Sequence, residues 1–375
     1  MLGSVLGTVV TRASLSGMRI VRNRDKPQPG HGPGIRGAGA HYNPAMVQGH
    51  TDETKAGVAG RAPFHQAADA VLMVRPAAFG WNRETAGSNA FQRQGGGVAG
   101  PGPERERALI EFDALAGALG AAGVRVHALN EPGPSACPDA VFPNNWVSLH
   151  HDGTVVVYPM MAPSRRIERR MELIARMEEL GGYCVSRLLD LSQHELSGRF
   201  LEGTGSVVFD HAGRVAWACR SPRTDESVLR ELCEELGYEP VPFDAADAAG
   251  VPVYHTNVLL SVGTRSAILC AEAVPVAQRG QLLERLRTGS RQVVTISLAQ
   301  MAEFAGNALE LRANDGKSVL ALSDRAWRAF GPAEREIIRS CVDSVVTSPI
   351  PTIEQCGGGS VRCMLAEVFL PRRAR

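Results

Sequence analysis

The feature that most constrains the fold of this 375-residue chain is a unit that repeats about every 50 to 60 residues. In each unit, two short apolar runs flank a turn dipeptide typical of a β-hairpin, and a segment with apolar spacing near 3.6 follows. Four such hairpins lie at residues 146–158, 206–217, 258–270 and 309–322. Equivalent positions recur at intervals of 60, 52 and 50 residues, at Asn145, Gly205, Asn257 and Asn307. A period of this size predicts an array closed around an axis, or a solenoid.

Two further apolar strands lie outside these four units, at residues 71–75 and 364–370. Paired with each other, they form a fifth hairpin, close the array into a ring and leave no exposed sheet edge. We therefore predict that residues 66–375 form a single α/β domain of five units around a centre. Its helices are expected at residues 108–119, 167–180, 228–236, 276–288 and 324–341. An α+β sandwich with coincidental spacing is the alternative.

Residues 1–65 differ in composition from the rest of the chain. They are rich in Gly, Pro and Arg and have weak periodicity, which predicts a disordered leader. Residues 1–24 carry four arginines and no acidic residue, a composition that resembles a mitochondrial presequence. An unstructured extension with chance arginines is the alternative.

Composition argues against several classes of partner. The formal net charge of +1 gives no basic field for nucleic acid or a membrane surface, and no apolar run approaches the roughly 18 residues that span a bilayer. The eight cysteines include no C-x-x-C pair and suit neither a zinc site nor a small disulfide framework. Free thiols indicate a reducing compartment, most simply the cytoplasm, or the mitochondrial matrix if residues 1–24 are a presequence. The expected partner is a small molecule, and a homodimer stays open.

The most unusual segment is residues 354–364, in which three glycines precede Cys363. Glycines let a backbone approach a ligand closely, and a cysteine that opens the final strand would point into the ring. Cysteine attacks as the thiolate, so Cys363 is the candidate nucleophile. Cys356 competes with it but precedes the glycine loop. The alternative is that Cys363 is a small buried hydrophobic residue.

Polar residues also stand where the chain enters the earlier hairpins. His255 begins the third hairpin and is a candidate general acid and base. Glu202 enters the second hairpin next to glycine, and Asn145 enters the first. The alternatives are a core histidine, a turn carboxylate and a turn asparagine. Because these residues and Cys363 lie at or near corresponding strand starts of different units, we expect them to line one mouth of the ring.

Over residues 68–371, the sequence resembles the pentein, or guanidino-group-modifying, superfamily, whose fold is a fivefold pseudo-symmetric α/β propeller. Its members include arginine deiminase, dimethylarginine hydrolase, succinylarginine dihydrolase and the amidinotransferases. The family's Gly-rich cysteine motif is similar to residues 357–364, its His-x-Asp motif to residues 255–257, and its Glu-Gly-Gly-Asp motif to residues 202–205. The resemblance implies Cys363 as nucleophile, His255 as acid and base, and Glu202 as the group that orients the substrate. It implies no metal and no organic cofactor.

The chain departs from arginine deiminases at two positions where those enzymes carry carboxylates, since Asn145 and Asn257 stand there. This pattern resembles the arginine-deiminase-related, citrulline-utilisation (CtlX-type) branch. By position, Arg165 and Arg223 are the counterparts of the arginines that hold the substrate carboxylate, and Arg166 stays open because the alignment is loose there. The expected reaction is hydrolysis of citrulline to ornithine, carbon dioxide and ammonia. The alternatives are an arginine deiminase, a dimethylarginine-type hydrolase, and a catalytically silent propeller that acts as a binding protein.

Overall fold

The computed structural model describes residues 19–21, 64–93, 102–131 and 137–373. Sixteen strands in these ranges form five sheets, and each sheet contains one antiparallel hairpin. We number the five units in the order of their hairpins. These are Val147–Leu149 with Thr154–Val157, Val208–Asp210 with Val215–Cys219, Leu260–Val262 with Ser266–Leu269, Leu309–Arg312 with Ser318–Ser323, and Ala366–Glu367 with Ala70–Arg75. The arrangement confirms the fivefold α/β propeller.

The fifth hairpin joins residues from near both ends of the chain, as expected for a closed ring of units. Isolated bridges connect this unit to both of its neighbours, Ala68 to Leu311 of unit four and Val368 to Leu149 of unit one. The hairpin strands are almost wholly buried, in keeping with their near-continuous apolar runs.

A third strand in each sheet was not predicted. These strands follow the helices, lie parallel to the second hairpin strand, and are Arg125–Asn130, Arg187–Asp190, Glu239–Phe243, Gln292–Thr295 and Ser344–Ser348. They are only partly buried, and Glu239–Phe243 contains two prolines, which strands tolerate at sheet edges. Arg19–Val21 adds a fourth strand to the sheet of unit one, inside the segment predicted to be a disordered leader. The rest of residues 1–63 lies outside the described residues.

The helices lie between the second and third strands of each unit and in the connections. The α-helices are Arg83–Ala86, Pro103–Ala121, Pro163–Arg166, Met171–Gly181, Gly203–Ser206, Glu226–Leu236, Val276–Leu286, Leu298–Ala302, Asp324–Ala329 and Pro332–Cys341. The 3₁₀ turns are Pro143–Asn145, Ser192–Ser197, Thr256–Val258, Ala271–Ala273, Thr288–Ser290 and Val361–Met364, and Ile353–Gly357 is a π-helical turn. The helix predicted at 324–341 is two helices, because Pro332 breaks the hydrogen-bond ladder and starts a new helix. In the part of the chain that is described, no helix is long and apolar enough to cross a membrane.

The chain enters its hairpins through short turns, which corrects the expectation that the site residues open the strands. Four of these inner turns are Pro143–Asn145, Gly203–Ser206, Thr256–Val258 and Val361–Met364. In unit four, the Asn307 N–H donates to Phe304 O at 2.8 Å and forms the equivalent turn. The inner turns are buried, and the turn of unit two packs against those of units one and three. Polar side chains on the inner turns therefore converge from several units.

Candidate active site

The structure brings the three predicted catalytic side chains into one buried site. Cys363 lies on the inner turn of unit five, and His255 and Glu202 directly precede those of units three and two. All three residues are buried, and His255 Nε2 lies 2.8 Å from Glu202 Oε2. His255 and Cys363 line the same cavity. Groups far apart in sequence thus meet because the five units close around a centre.

Burial and charge set the protonation states of His255 and Glu202. Burial lowers the pKa of His255 to about 4, although the hydrogen bond to Glu202 opposes the shift. Burial would raise the pKa of Glu202, but Arg223, His255 and Arg165 together hold it well below its usual range. At neutral pH the histidine is therefore neutral and the glutamate is ionised. An ionised carboxylate only accepts, so Nε2 carries the imidazole proton and Nδ1 is free to take one.

Two amide groups contact the sulfur of Cys363. Asn257 Nδ2 lies 3.5 Å and Asn307 Nδ2 lies 3.4 Å from Cys363 Sγ. Asn257 was predicted as a site residue, but as a ligand of the substrate. Asn307 was not predicted, although it occupies the fourth of the equivalent positions in the repeat, a signal that could have identified it.

The glycine loop before Cys363 is hydrogen-bonded from two sides. The carbonyl of Gly358 accepts hydrogen bonds from Tyr254 Oη at 2.7 Å and from Asn89 Nδ2 at 3.1 Å. Gly358 has a φ of +66°, and a Cβ there would lie 2.7 Å from the backbone nitrogen of Gln92. Glycine is therefore required at this position, because it permits both the left-handed backbone and the close approach.

The guanidinium of Arg165, predicted to hold the substrate carboxylate, already has protein partners. Its Nε and Nη2 donate to the two oxygens of Glu168 at 2.9 Å, and Nη1 donates to Asn145 Oδ1 at 2.8 Å. Arg165 lines the cavity, and three of its five N–H groups are already committed to Glu168 and Asn145. Arg166 pairs instead with Glu195 and does not line the cavity.

Arg223 links Glu202 to a segment that covers the cavity. Its Nη1 donates to Glu202 Oε2 at 3.3 Å, and its Nη2 donates to Thr85 O at 3.2 Å and Ser88 Oγ at 2.6 Å. Thr85 and Ser88 belong to residues 82–92, which we call the covering segment. The sequence did not indicate this segment, because its polar residues show no periodicity.

A cavity with an empty volume of about 280 Å³ lies among these groups, lined by Cys363, His255, Arg165, Arg223, Asn145 and Asp139 among others. Three polar atoms of the lining residues have no hydrogen-bond partner in the described chain, namely Asp139 Oδ1, Asn145 Nδ2 and Arg223 Nε. Unpaired buried polar atoms are costly, so they indicate where complementary groups of a ligand bind. A larger cavity of about 1220 Å³ elsewhere contains none of the predicted site residues. The described residues contain no group of three or more His, Cys, Asp or Glu side chains arranged to hold a metal ion.

The chain resembles solved structures in fold. The N-terminal domain of ArgZ, an arginine dihydrolase from the ornithine–ammonia cycle in cyanobacteria, was solved as a cysteine-to-serine mutant bound to substrate. It has a TM-score of 0.61 and 19% identity over 80% of this chain and 99% of that domain. Unliganded AgrE has a TM-score of 0.62 and 18% identity over 82% of this chain and 40% of its own. A dimethylarginine dimethylaminohydrolase mutant with an S-methyl-L-thiocitrulline adduct has a TM-score of 0.51 and 17% identity, over 80% of this chain and 99% of its own.

The family comparison goes beyond the fold. No curated protein sequence matches the chain. The family model described as N,N dimethylarginine dimethylhydrolase, eukaryotic, matches residues 75–370, which include the hairpins of units one to four and the strand Ala366–Glu367 of the fifth. The chain therefore belongs to this dimethylarginine dimethylhydrolase family of guanidino-modifying penteins, hydrolases that act on carbon–nitrogen bonds.

Proposed function

We propose that this chain hydrolyses a carbon–nitrogen bond at the guanidino carbon of arginine or a methylated arginine, with Cys363 as nucleophile. The observation that carries the proposal is one buried cavity lined by Cys363, neutral His255 and Asp139, whose carboxylate has an unpaired oxygen, with ionised Glu202 hydrogen-bonded to His255. The family to which the chain belongs supports the same substrate class. The fold shared with ArgZ, solved bound to substrate, agrees with it.

The mechanism follows from the donors and acceptors in the site. The Cys363 sulfur forms a bond to the guanidino carbon, and His255 takes the proton that the thiol loses. His255 then gives this proton to the amine, which departs as its carbon–nitrogen bond breaks. Water then replaces the amine, His255 takes one of its protons, and the new carbon–oxygen bond forms as the carbon–sulfur bond breaks. The thiol is restored and a ureido product leaves. Glu202 keeps the imidazole in the tautomer with Nδ1 free.

Asp139 favours a cationic substrate over a neutral one. Burial raises the pKa of its carboxyl, because Arg165 and Asn82 only partly compensate the buried negative charge, and one oxygen has no donor. A guanidinium or an ammonium group placed there supplies the missing donors and the opposite charge. This observation supports an arginine-type substrate more than the citrulline expected from the sequence.

Citrulline is the second candidate, because amides stand at two positions where a guanidinium would be offset by carboxylates. Asn145 Nδ2 is unpaired and suits a ureido oxygen. An uncompensated buried guanidinium costs roughly 3–5 kcal/mol, and each tenfold in kcat/KM corresponds to about 1.4 kcal/mol. If citrulline is the substrate, its kcat/KM therefore exceeds that for arginine by about 10² or more. The paired change Asn145→Asp/Asn257→Asp then shifts the ratio toward arginine.

The test is a screen of arginine, dimethylarginine, citrulline and succinylarginine for released ammonia, methylamines and ornithine. We expect the highest kcat/KM with arginine or dimethylarginine, and total loss of turnover in Cys363→Ser. Cys356→Ser is the matched control and keeps activity, because Cys356 precedes the glycine loop and does not line the cavity. A preference for citrulline moves the assignment to the second candidate. Turnover that survives Cys363→Ser, or no turnover of any compound, contradicts the proposal.

A further inference from the structure

Asn307 is a fully buried residue on the inner turn of unit four, and both ends of its amide have partners. Its Oδ1 accepts a hydrogen bond from the Arg362 N–H at 3.1 Å. Its Nδ2 donates to the carbonyl of Asn257 at 2.9 Å and lies 3.4 Å from Cys363 Sγ. The residue therefore connects the inner turns of units three, four and five at the sulfur of the nucleophile.

These partners fix the orientation of the amide. A backbone N–H only donates and a carbonyl only accepts, so flipping the Asn307 amide would leave an oxygen against the Asn257 carbonyl and an NH₂ against the Arg362 N–H. With the flip excluded, Nδ2 has two hydrogens and two acceptors within reach. One hydrogen goes to the Asn257 carbonyl, and the other is directed to the Cys363 sulfur.

We propose that Asn307 is a further catalytic residue, whose amide N–H hydrogen-bonds the Cys363 sulfur and stabilises its thiolate. The inference rests on the proposed function in one respect, that Cys363 is the nucleophile. A hydrogen bond to a charged acceptor is stronger than one to a neutral acceptor, so the amide favours the thiolate over the thiol. The Arg362 side chain does not take this role, because it pairs with Glu367 and the Leu365 carbonyl.

The opposing interpretation is a purely structural role, in which Asn307 only ties the Arg362 N–H to the Asn257 carbonyl. The two interpretations differ in what happens to the sulfur. A structural tie affects folding stability alone, whereas a donor to the thiolate also affects how fast Cys363 reacts with an electrophile at a given pH.

The experiment measures the rate of Cys363 alkylation by iodoacetamide between pH 6 and 10, followed at this residue by peptide mass spectrometry. In Asn307→Asp, the acceptor for the Arg362 N–H stays and the donor to sulfur becomes an anion. We expect alkylation at pH 7 to slow by about tenfold or more, the pH profile to move to higher pH, and kcat/KM to fall in parallel. Asn314→Asp is the matched control, because Asn314 is exposed in the same unit, and it leaves all three unchanged.

Asn307→Ser provides the second variant, since its shorter hydroxyl reaches neither the Arg362 N–H nor the sulfur as the amide does, and it introduces no charge. We expect the same direction of change with a smaller shift. A lower melting temperature with an unchanged alkylation profile overturns the inference, and so does failure of both variants to fold, because Asn307 would then serve the fold. Cys363→Ser with full turnover would instead refute the proposed function, whatever the Asn307 variants do.

Discussion

Amide side chains from two neighbouring units contact the sulfur of Cys363, and they differ in how far the sequence reveals them. Asn257 stands in the histidine motif and was predicted as a site residue, whereas Asn307 could be found only from its register in the repeat. The internal pairing of Arg165 with Glu168 could not be predicted, because it depends on how the one-turn helix Pro163–Arg166 and the turn after it place the two side chains. The sequence thus identifies the reactive groups better than it identifies the groups that hold them.

His255, the proposed acid and base, should titrate far from the ordinary range of a histidine. Burial lowers the pKa of His255 to about 4, so the imidazole is neutral from about pH 5 upward. We therefore expect the acidic limb of kcat/KM near pH 4 instead of near pH 6.5, and a loss of about 10²-fold or more in kcat for His255→Ala. Glu202 raises the pKa of His255, so Glu202→Gln should move the limb to lower pH.

Steady-state kinetics from pH 3.5 to 8 check this prediction, and circular dichroism at each pH confirms that the protein stays folded. A limb centred near pH 6.5, or one that His255→Ala leaves in place, would assign the titration to another group. His255 would then be a core residue, which was the alternative at the level of sequence.

At the scale of elements, hairpins and helices were predicted and the third strands were not. The hairpin strands are buried apolar runs next to turn dipeptides, which the sequence shows directly. In contrast, Glu239–Phe243 and Arg187–Asp190 are short, partly exposed and rich in proline or charge. They are strands because the helix before each one returns the chain to the sheet, a tertiary effect that local pattern does not encode. The inner turns were taken as strand starts for a similar reason, since they directly precede the hairpin strands and the local pattern does not mark the boundary.

The inner turn of unit two has a glycine where the other inner turns carry a side chain into the site. A Cβ on Gly205 would lie 2.4 Å from Asn145 Nδ2 and 2.7 Å from His255 Nδ1. We expect Gly205→Ala to displace the imidazole or the amide and to lower kcat/KM by about 10² or more, since small misplacements in an active site are costly. Gly280→Ala is the matched control, because Gly280 lies in the helix Val276–Leu286 with open space around it. Equal activity in the two variants would show that the site tolerates the added methyl group.

At the scale of the whole molecule, closure of the ring assembles the site and also buries a cluster of histidines at the opposite ends of the hairpins. His150 and His151 follow the first hairpin strand of unit one, and His211 follows that of unit two. His150 Nε2 lies 2.7 Å from Ser148 Oγ, and His211 Nδ1 lies 2.7 Å from Tyr238 Oη. These neutral partners satisfy neutral imidazoles but do not offset a positive charge.

The histidine cluster makes the stability of the fold depend on pH. Burial lowers the pKa of His150 and of His151 to about 4, and it lowers that of His211 well below the ordinary 6.5. The unfolded chain therefore binds more protons than the folded chain below about pH 6.5. The stabilisation of the folded state by the neutral histidines is complete above that pH and is lost as the pH falls toward 4.

We expect the free energy of unfolding in urea to fall steadily from pH 7 to pH 5. For the fully buried His150 alone, the difference between a pKa of 6.5 in the unfolded chain and about 4 in the folded chain corresponds to about 3 kcal/mol, which is lost in full only below pH 4. His150→Gln should flatten the dependence, because an amide fills the site without gaining a proton, even if it lowers stability at pH 7. If His150→Gln and the wild type lose stability in parallel, the acid sensitivity comes from other groups and the cluster is not its source.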